Sequence, residues 1–208
     1  MIILYQDNHV LAAVKPAGIP TQGENNSFEA LVKAHSQKTF LYPVHRLDTP
    51  VSGIVLFATS SKALSRLNES LRNNLFTKTY LALVQGKPTP HSNTLTHSLF
   101  HDEFQHKAIL SKHPKAKQCQ LCYETITSYH NSSLLKINLI TGRYHQIRAQ
   151  LSAINHPVLG DAKYNSHQPF PQGIALHHSS LSFPHPTLKN IITLSAPLPD
   201  YFKGASPP

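Results

Sequence analysis

The sequence predicts an α+β fold: a mixed, largely antiparallel sheet with flanking helices. Three observations lead there. Segments rich in β-branched and aromatic residues outnumber helical ones. They often follow one another directly, without regular strand–helix–strand alternation. One continuous apolar run, Gly53-Ile54-Val55-Leu56-Phe57-Ala58, reads as a buried strand. The chain has 208 residues, within the roughly 100–200 of an ordinary domain, so a single domain over 1–208 is expected.

The elements follow in order. Ile2–Tyr5 and Val10–Lys15 are β-prone and separated by Gln6-Asp7-Asn8-His9, a polar turn signal. Lys15-Pro16-Ala17-Gly18-Ile19-Pro20 is loop, because two prolines and a glycine obstruct helix and sheet alike. Ser27 is placed to cap a short helix over Phe28–His35. After the apolar strand, Ser60 or Ser61 caps a helix in which Leu64, Leu67 and Leu71 fall on one face, opposite Lys62, Arg66 and Asn73. Strands are expected over Lys78–Gln85, Leu121–Thr127 and Leu134–Ile140. A helix is expected directly after Gly142, with Ile147, Leu151 and Ile154 on its buried face, stopped by Asn155-His156-Pro157. Gly173–Leu181 and Ile191–Ser195 close the sheet, and Gly204–Pro208 is expected to fray.

Hydrophobic residues make up 40% of the chain and charged residues 14%, a balance that suits a packed core and excludes a disordered polyelectrolyte. Nineteen Lys and Arg against ten Asp and Glu give a net charge of +9, which attracts polyanions, RNA and DNA first. Fifteen histidines add charge toward about pH 6.5, so RNA affinity is expected to rise between pH 8 and 6. The N-terminus lacks the basic start and apolar stretch of a signal peptide. No apolar run approaches the roughly 18 residues that cross a bilayer. A cytoplasmic protein without membrane attachment is expected, and a monomer is the default. Cys119-x-x-Cys122 lacks the second ligand pair of structural zinc, and on a strand its thiols point to opposite faces, so no metal is expected.

Three segments have the residue types of a reactive site. His45-Arg46-Leu47-Asp48-Thr49-Pro50-Val51-Ser52-Gly53 is a loop feeding straight into the buried strand, a good anchor for a catalytic carboxylate; an Asx turn before Pro50 would explain Asp48 equally well. Thr141-Gly142-Arg143-Tyr144-His145-Gln146-Ile147-Arg148 places Arg143 at the expected helix start, where a cation opposes the helix dipole and calls for an anionic partner. Lys78 and Tyr80 are two apart and share one face of their strand.

In combination these segments resemble the RluA-type family of RNA pseudouridine synthases. The resemblance begins at Lys15-Pro16-Ala17-Gly18 and takes in His45-Arg46-Leu47-Asp48 with Ser52-Gly53. It continues through Lys78-Thr79-Tyr80-Leu81-Ala82-Leu83-Val84, Gly142–Arg148 and His156-Pro157-Val158-Leu159-Gly160-Asp161-Ala162-Lys163-Tyr164. It ends at His177 and Phe183-Pro184-His185-Pro186. The blocks occur in the family's order over nearly the whole chain. The resemblance implies the pseudouridine synthase fold with an RNA cleft across the sheet, and no cofactor. It implies Asp48 as the catalytic aspartate, Arg143 as the arginine that pairs with it, and Tyr80 as the tyrosine that stacks on the target base. Arg46 would fill the gap left by a flipped nucleotide. His45, Lys78, Gln146, Arg148 and Lys15 are expected to contact substrate. Thr49, Asn74 and Asn165 depart from the family's usual basic residue, arginine and glycine. The separate N-terminal RNA-binding module of many relatives is not expected, which leaves recognition of a compact stem-loop to the catalytic domain.

The chemistry such a family performs suits these residues. Uridine's N1–C1′ bond breaks, the base turns, and C5 rejoins the sugar. A stacked uridine must first be flipped, at a cost of a few kcal/mol. Face-to-face stacking on Tyr80 would hold the detached base with roughly 1–3 kcal/mol. Asp48 must be ionised, and a guanidinium nearby favours that form. The carboxylate would either attack C1′ or abstract the C2′ proton. The expected substrate is structured RNA, ribosomal or transfer. Two other readings compete: a non-catalytic RNA-binding protein or folding chaperone, and a nucleoside hydrolase or glycosidase. The last generally needs two flanking carboxylates, and the loop offers one.

Overall fold

The computed structural model describes residues 1–23 and 26–203, so the expected fraying of Gly204–Pro208 lies outside the described residues. In chain order the elements are β1 (Ile2–Gln6), β2 (Val10–Lys15), α1 (Phe28–Ser36), β3 (Tyr42–Pro43), β4 (Ser52–Ala58), α2 (Ser61–Arg72), β5 (Thr77–Gln85) and β6 (Ser92–Asp102). There follow β7 (Lys107–Leu110), β8 (Lys117–Ser128), β9 (Ser132–Leu139), α3 (Gln146–Ala153), β10 (Leu176–Pro184), β11 (Ile191–Ser195) and α4 (Asp200–Lys203). The fold is α+β and mostly antiparallel, as the sequence implies. The described residues pack as two compact units, one within 1–78 and 177–197, the other within 79–176 and 198–203.

In the first unit, β1, β2 and β4 run antiparallel side by side, with Val10 opposite Ala58 and Lys15 opposite Gly53. β10 joins β4 in parallel, and β11 pairs with β10. Every residue of β4 is buried, which explains its unbroken apolar sequence. Ser60 caps α2, its side chain accepting the Ala63 amide at 3.2 Å. The expected leucine face of α2 faces the core: Leu67 is fully buried, and Leu64 and Leu71 are partly buried against the cluster that includes Leu67, Phe76, Phe183 and Leu194. Ser27 caps α1 as expected, and the helix runs one residue past the expected end.

In the second unit, the strand order is β5-β9-β8-β6-β7, all antiparallel. α3 covers part of this sheet, and Leu99, Ala108, Cys119, Ala149 and Tyr164 form a core cluster. Tyr164 is buried, and its hydroxyl accepts from the Ala108 amide at 2.8 Å and donates to the Ala108 carbonyl at 3.2 Å. Buried hydroxyls need such partners.

Several expectations are corrected. The helix after Gly142 begins only at Gln146, with His145 in left-handed backbone (φ 48°) as its cap, and Ile154 is the residue that ends it rather than part of its apolar face. The strand expected over Gly173–Leu181 is Leu176–Pro184. β6 and β7 were not expected at all: along β6 only Leu95 and Leu99 are buried, so no apolar run or strict alternation marks it. Cys119 and Cys122 lie on β8, the first buried and the second half-buried. No helix among the described residues is long and apolar enough to cross a membrane.

Candidate active site

The loop carrying Asp48 is tied down on both sides by the segment that follows β2. Before Asp48, the Thr21 hydroxyl accepts from the Leu47 amide at 3.0 Å and donates to the Leu47 carbonyl at 2.8 Å. After it, the Thr49 carbonyl accepts from the Gly18 amide at 2.8 Å and from Lys15 Nζ at 3.2 Å. Asp48 itself closes a turn, its carbonyl accepting the Val51 amide at 3.0 Å. Leu47 and Thr21 are both buried, so these bonds are not contested by water. The residue is only partly exposed, and the backbone around it is fixed before any substrate arrives.

Lys15 belongs to this clamp. It is wholly buried, and its ammonium also donates to the carbonyls of Pro16 at 2.9 Å and Ile19 at 2.8 Å. Burial pushes its pKa down to about 8, while the charge of Asp48 pulls the other way. Its ammonium donates to three backbone carbonyls, so it organises the loop.

Beneath the loop lies a layer of histidines. His45 Nε2 accepts the Leu56 amide at 3.3 Å, and its ring packs edge-on against His178 at 5.3 Å. His178 Nδ1 bonds the Ile54 carbonyl at 2.7 Å, and His177 Nδ1 bonds Ser52 Oγ at 2.8 Å. His177 and His178 are fully buried. Desolvation lowers His177 to about 4 and His178 to about 3, and puts His45 well below the ordinary histidine range. His45 is thus bonded to β4 backbone. Gly53 makes the layer possible. Its φ is +122°, and a Cβ there would lie 2.4 Å from the His178 carbonyl oxygen. Arg46 is exposed beside the loop, and Lys78 is buried at the end of this unit, its pKa lowered by desolvation.

In the second unit, Tyr80 sits on β5 opposite Ile137 of β9 and is 6% exposed. Arg143 is exposed, on the turn before α3. Its Nε donates to the Gln118 carbonyl at 3.1 Å, and its amide to Gln146 Oε1 at 3.0 Å. The dipole argument for Arg143 therefore falls away, since the helix starts three residues later; a backbone carbonyl takes part of its guanidinium. Gln146 is buried and holds this turn together. It accepts from Thr141 Oγ1 at 2.8 Å and donates to the Gln120 carbonyl at 3.1 Å and to Gln150 Oε1 at 2.9 Å. Arg148 is buried against Asp161, with Nε to Oδ2 at 2.7 Å and a second bond of 2.9 Å, and lies over the Tyr164 ring. Gln146 and Arg148 thus each brace the turn and helix on which they stand. Thr21 and Asp161 were missed: each acts through one buried partner that no local pattern reveals.

The family model for RNA pseudouridylate synthases matches residues 9–153. The chain belongs to the RNA pseudouridylate synthase family. It is 35% identical to the ribosomal large subunit pseudouridine synthase C of Haemophilus ducreyi, an alignment covering 97% of this chain and 67% of that one. Its identity to the protein of that name from Escherichia coli K12 is 31%, over 97% of this chain and 68% of the relative. The solved structure of human RNA pseudouridylate synthase domain containing 4 superimposes with a TM-score of 0.80 at 23% identity, covering 97% of this chain and 90% of that one. The human domain-containing 1 protein gives 0.82 at 22%, covering 95% and 83%. These two likenesses establish the fold; the family match and the sequence relatives establish the enzyme class. The chain is an isomerase that converts uridine to pseudouridine in RNA. Nothing in these likenesses favours a non-catalytic RNA-binding protein.

Proposed function

We propose that this synthase modifies uridine in large-subunit ribosomal RNA and that Asp48 is its catalytic carboxylate. The observation that supports Asp48 is the clamp on both of its neighbours, which holds one carboxylate-bearing turn rigid by four hydrogen bonds from Thr21, Gly18 and Lys15. Rigid placement of the reacting group supplies much of an enzyme's rate advantage. Tyr80 is proposed to stack on the target base, Arg143 to supply the guanidinium the reaction requires, and Arg46 to occupy the vacated stack. Arg46 and Arg143 are both exposed, which suits contact with a polyanion. Lys78, buried and desolvated, is proposed to contact the substrate from its strand. The ribosomal target is supported by the names of the relatives. A monomer working in the cytoplasm without a metal completes the proposal.

The substrate is tested by incubating the protein with ribosomal and transfer RNA, each tritiated at uridine C5 and drawn from cells lacking it. Release from large-subunit ribosomal RNA is expected. Release from transfer RNA alone would overturn the assignment of substrate while leaving the enzyme class intact.

A further inference from the structure

β6 and β7 form a hairpin whose last ladder pair is Asp102 and Lys107. Asp102 Oδ1 accepts the Gln105 amide at 3.0 Å, and His106 turns the chain in left-handed backbone (φ 47°). The tip presents Phe104, 95% exposed, beyond every other large hydrophobic side chain among the described residues. Leaving a phenylalanine in water forgoes apolar burial, and the turn does not need the ring, since Asp102, Gln105 and His106 close it.

The tip is braced from beside Arg143. The Tyr144 ring lies 4.0 Å from that of His101 and stacks on that of His145 at 3.9 Å and 17°. Tyr144 Oη and Lys163 Nζ both donate to the His106 carbonyl, at 3.4 and 3.1 Å. His145 is in turn bonded to the buried Tyr164 hydroxyl at 3.0 Å. A bare ring on a braced tip keeps little conformational entropy to lose on binding.

The surroundings say what the ring meets. Glu103, Gln105 and His106 are exposed and polar, so the ring's neighbours along the chain suit a polar partner better than a hydrophobic protein surface. At the base of the tip Lys107 pairs across the ladder with Asp102 and Lys163 reaches the His106 carbonyl, so two cations stand beside the ring along with the carboxylates of Asp102 and Glu103. An exposed aromatic with lysine ammonium groups beside it is an arrangement that holds single-stranded nucleic acid by base stacking and phosphate attraction.

We infer that Phe104 stacks on an unpaired base of the substrate RNA, distinct from the uridine being isomerised. The inference rests on RNA being the substrate and adds a contact that selects among RNAs. The chain contains no tryptophan, so Phe104→Trp introduces a single tryptophan at the tip, which can be excited selectively over the tyrosines. Saturating large-subunit ribosomal RNA fragments should quench its emission and shield it from acrylamide. Phe104→Ala should bind the same RNA about tenfold more weakly at fixed salt, the scale of one lost stack, and Phe104→Tyr should restore it. A ring this exposed does not contribute to folding, so the melting temperature of each variant should match wild type. Unquenched emission, or unchanged affinity in Phe104→Ala, overturns the inference and leaves the tip to a protein contact. Tritium release by the wild type from the same RNA tests the substrate independently.

Discussion

Thr21 is a small residue with a large consequence for Asp48. Its hydroxyl makes both hydrogen bonds to Leu47, and a near-isosteric Thr21→Val leaves a buried amide and a buried carbonyl without them. Orphaning such groups costs about 1–3 kcal/mol each. The loop would relax, and a shift of the reacting carboxylate on the order of 1 Å can cost about 100-fold in rate. We expect Thr21→Val to lower kcat at least tenfold with KM within about twofold, and Thr21→Ser to recover most of it. Equal kcat in Thr21→Val, or no recovery by serine, would contradict a positioning role. The loop around Asp48 was legible because its whole motif is contiguous in the sequence. Thr21 was not, because its partner is 26 positions away. Lys15, Gln146 and Arg148 stand in motifs, but their burial and internal hydrogen bonds were not legible, because their partners too lie outside any local pattern.

Elements with one wholly buried run or one apolar face were readable. β4, α1 and α2 fall within a residue or two of their expected bounds, because Ser27, Ser60 and the apolar run each mark an edge chemically. The β6–β7 hairpin and the late start of α3 were not readable. In the first, polar and apolar residues mix along half-buried strands. In the second, side-chain bonds from Gln146 and Thr141 stabilise a turn where helix propensity would allow helix. At this scale Gly53 is decisive, since β4 and β10 approach there closely enough that a Cβ would meet His178 backbone at 2.4 Å. Backbone strain and overpacking each cost about 1–3 kcal/mol. Gly53→Ala should therefore lower the unfolding free energy by about 3 kcal/mol or more in urea titrations. A change under about 1 kcal/mol would show that the strands adjust.

For the whole molecule, charge and acid stability pull in different directions. The net charge of +9 favours RNA, but His45, His97, His145, His177 and His178 are held below the ordinary histidine range by burial. They take no part in the expected gain of affinity between pH 8 and 6. They act on stability instead. Their folded pKa values lie below the unfolded 6.5, so the unfolded chain binds more protons as pH falls. Stability is then complete above about pH 6.5 and declines from there down toward pH 4 and 3, the folded values of His177 and His178. At pH 5 these two buried rings should each contribute about 2 kcal/mol of destabilisation. The urea midpoint should fall clearly between pH 7.5 and 5, and His177→Gln should flatten the slope. A midpoint independent of pH would contradict the buried neutral layer.

The proposed role of Asp48 in the isomerisation is tested most directly by tritium release from RNA labelled at uridine C5. Isomerisation exchanges the C5 hydrogen with solvent, so wild type should release tritium. Asp48→Asn, which keeps the shape and loses the charge, should remain at background while still binding RNA. Release by Asp48→Asn near the wild-type rate would contradict the account.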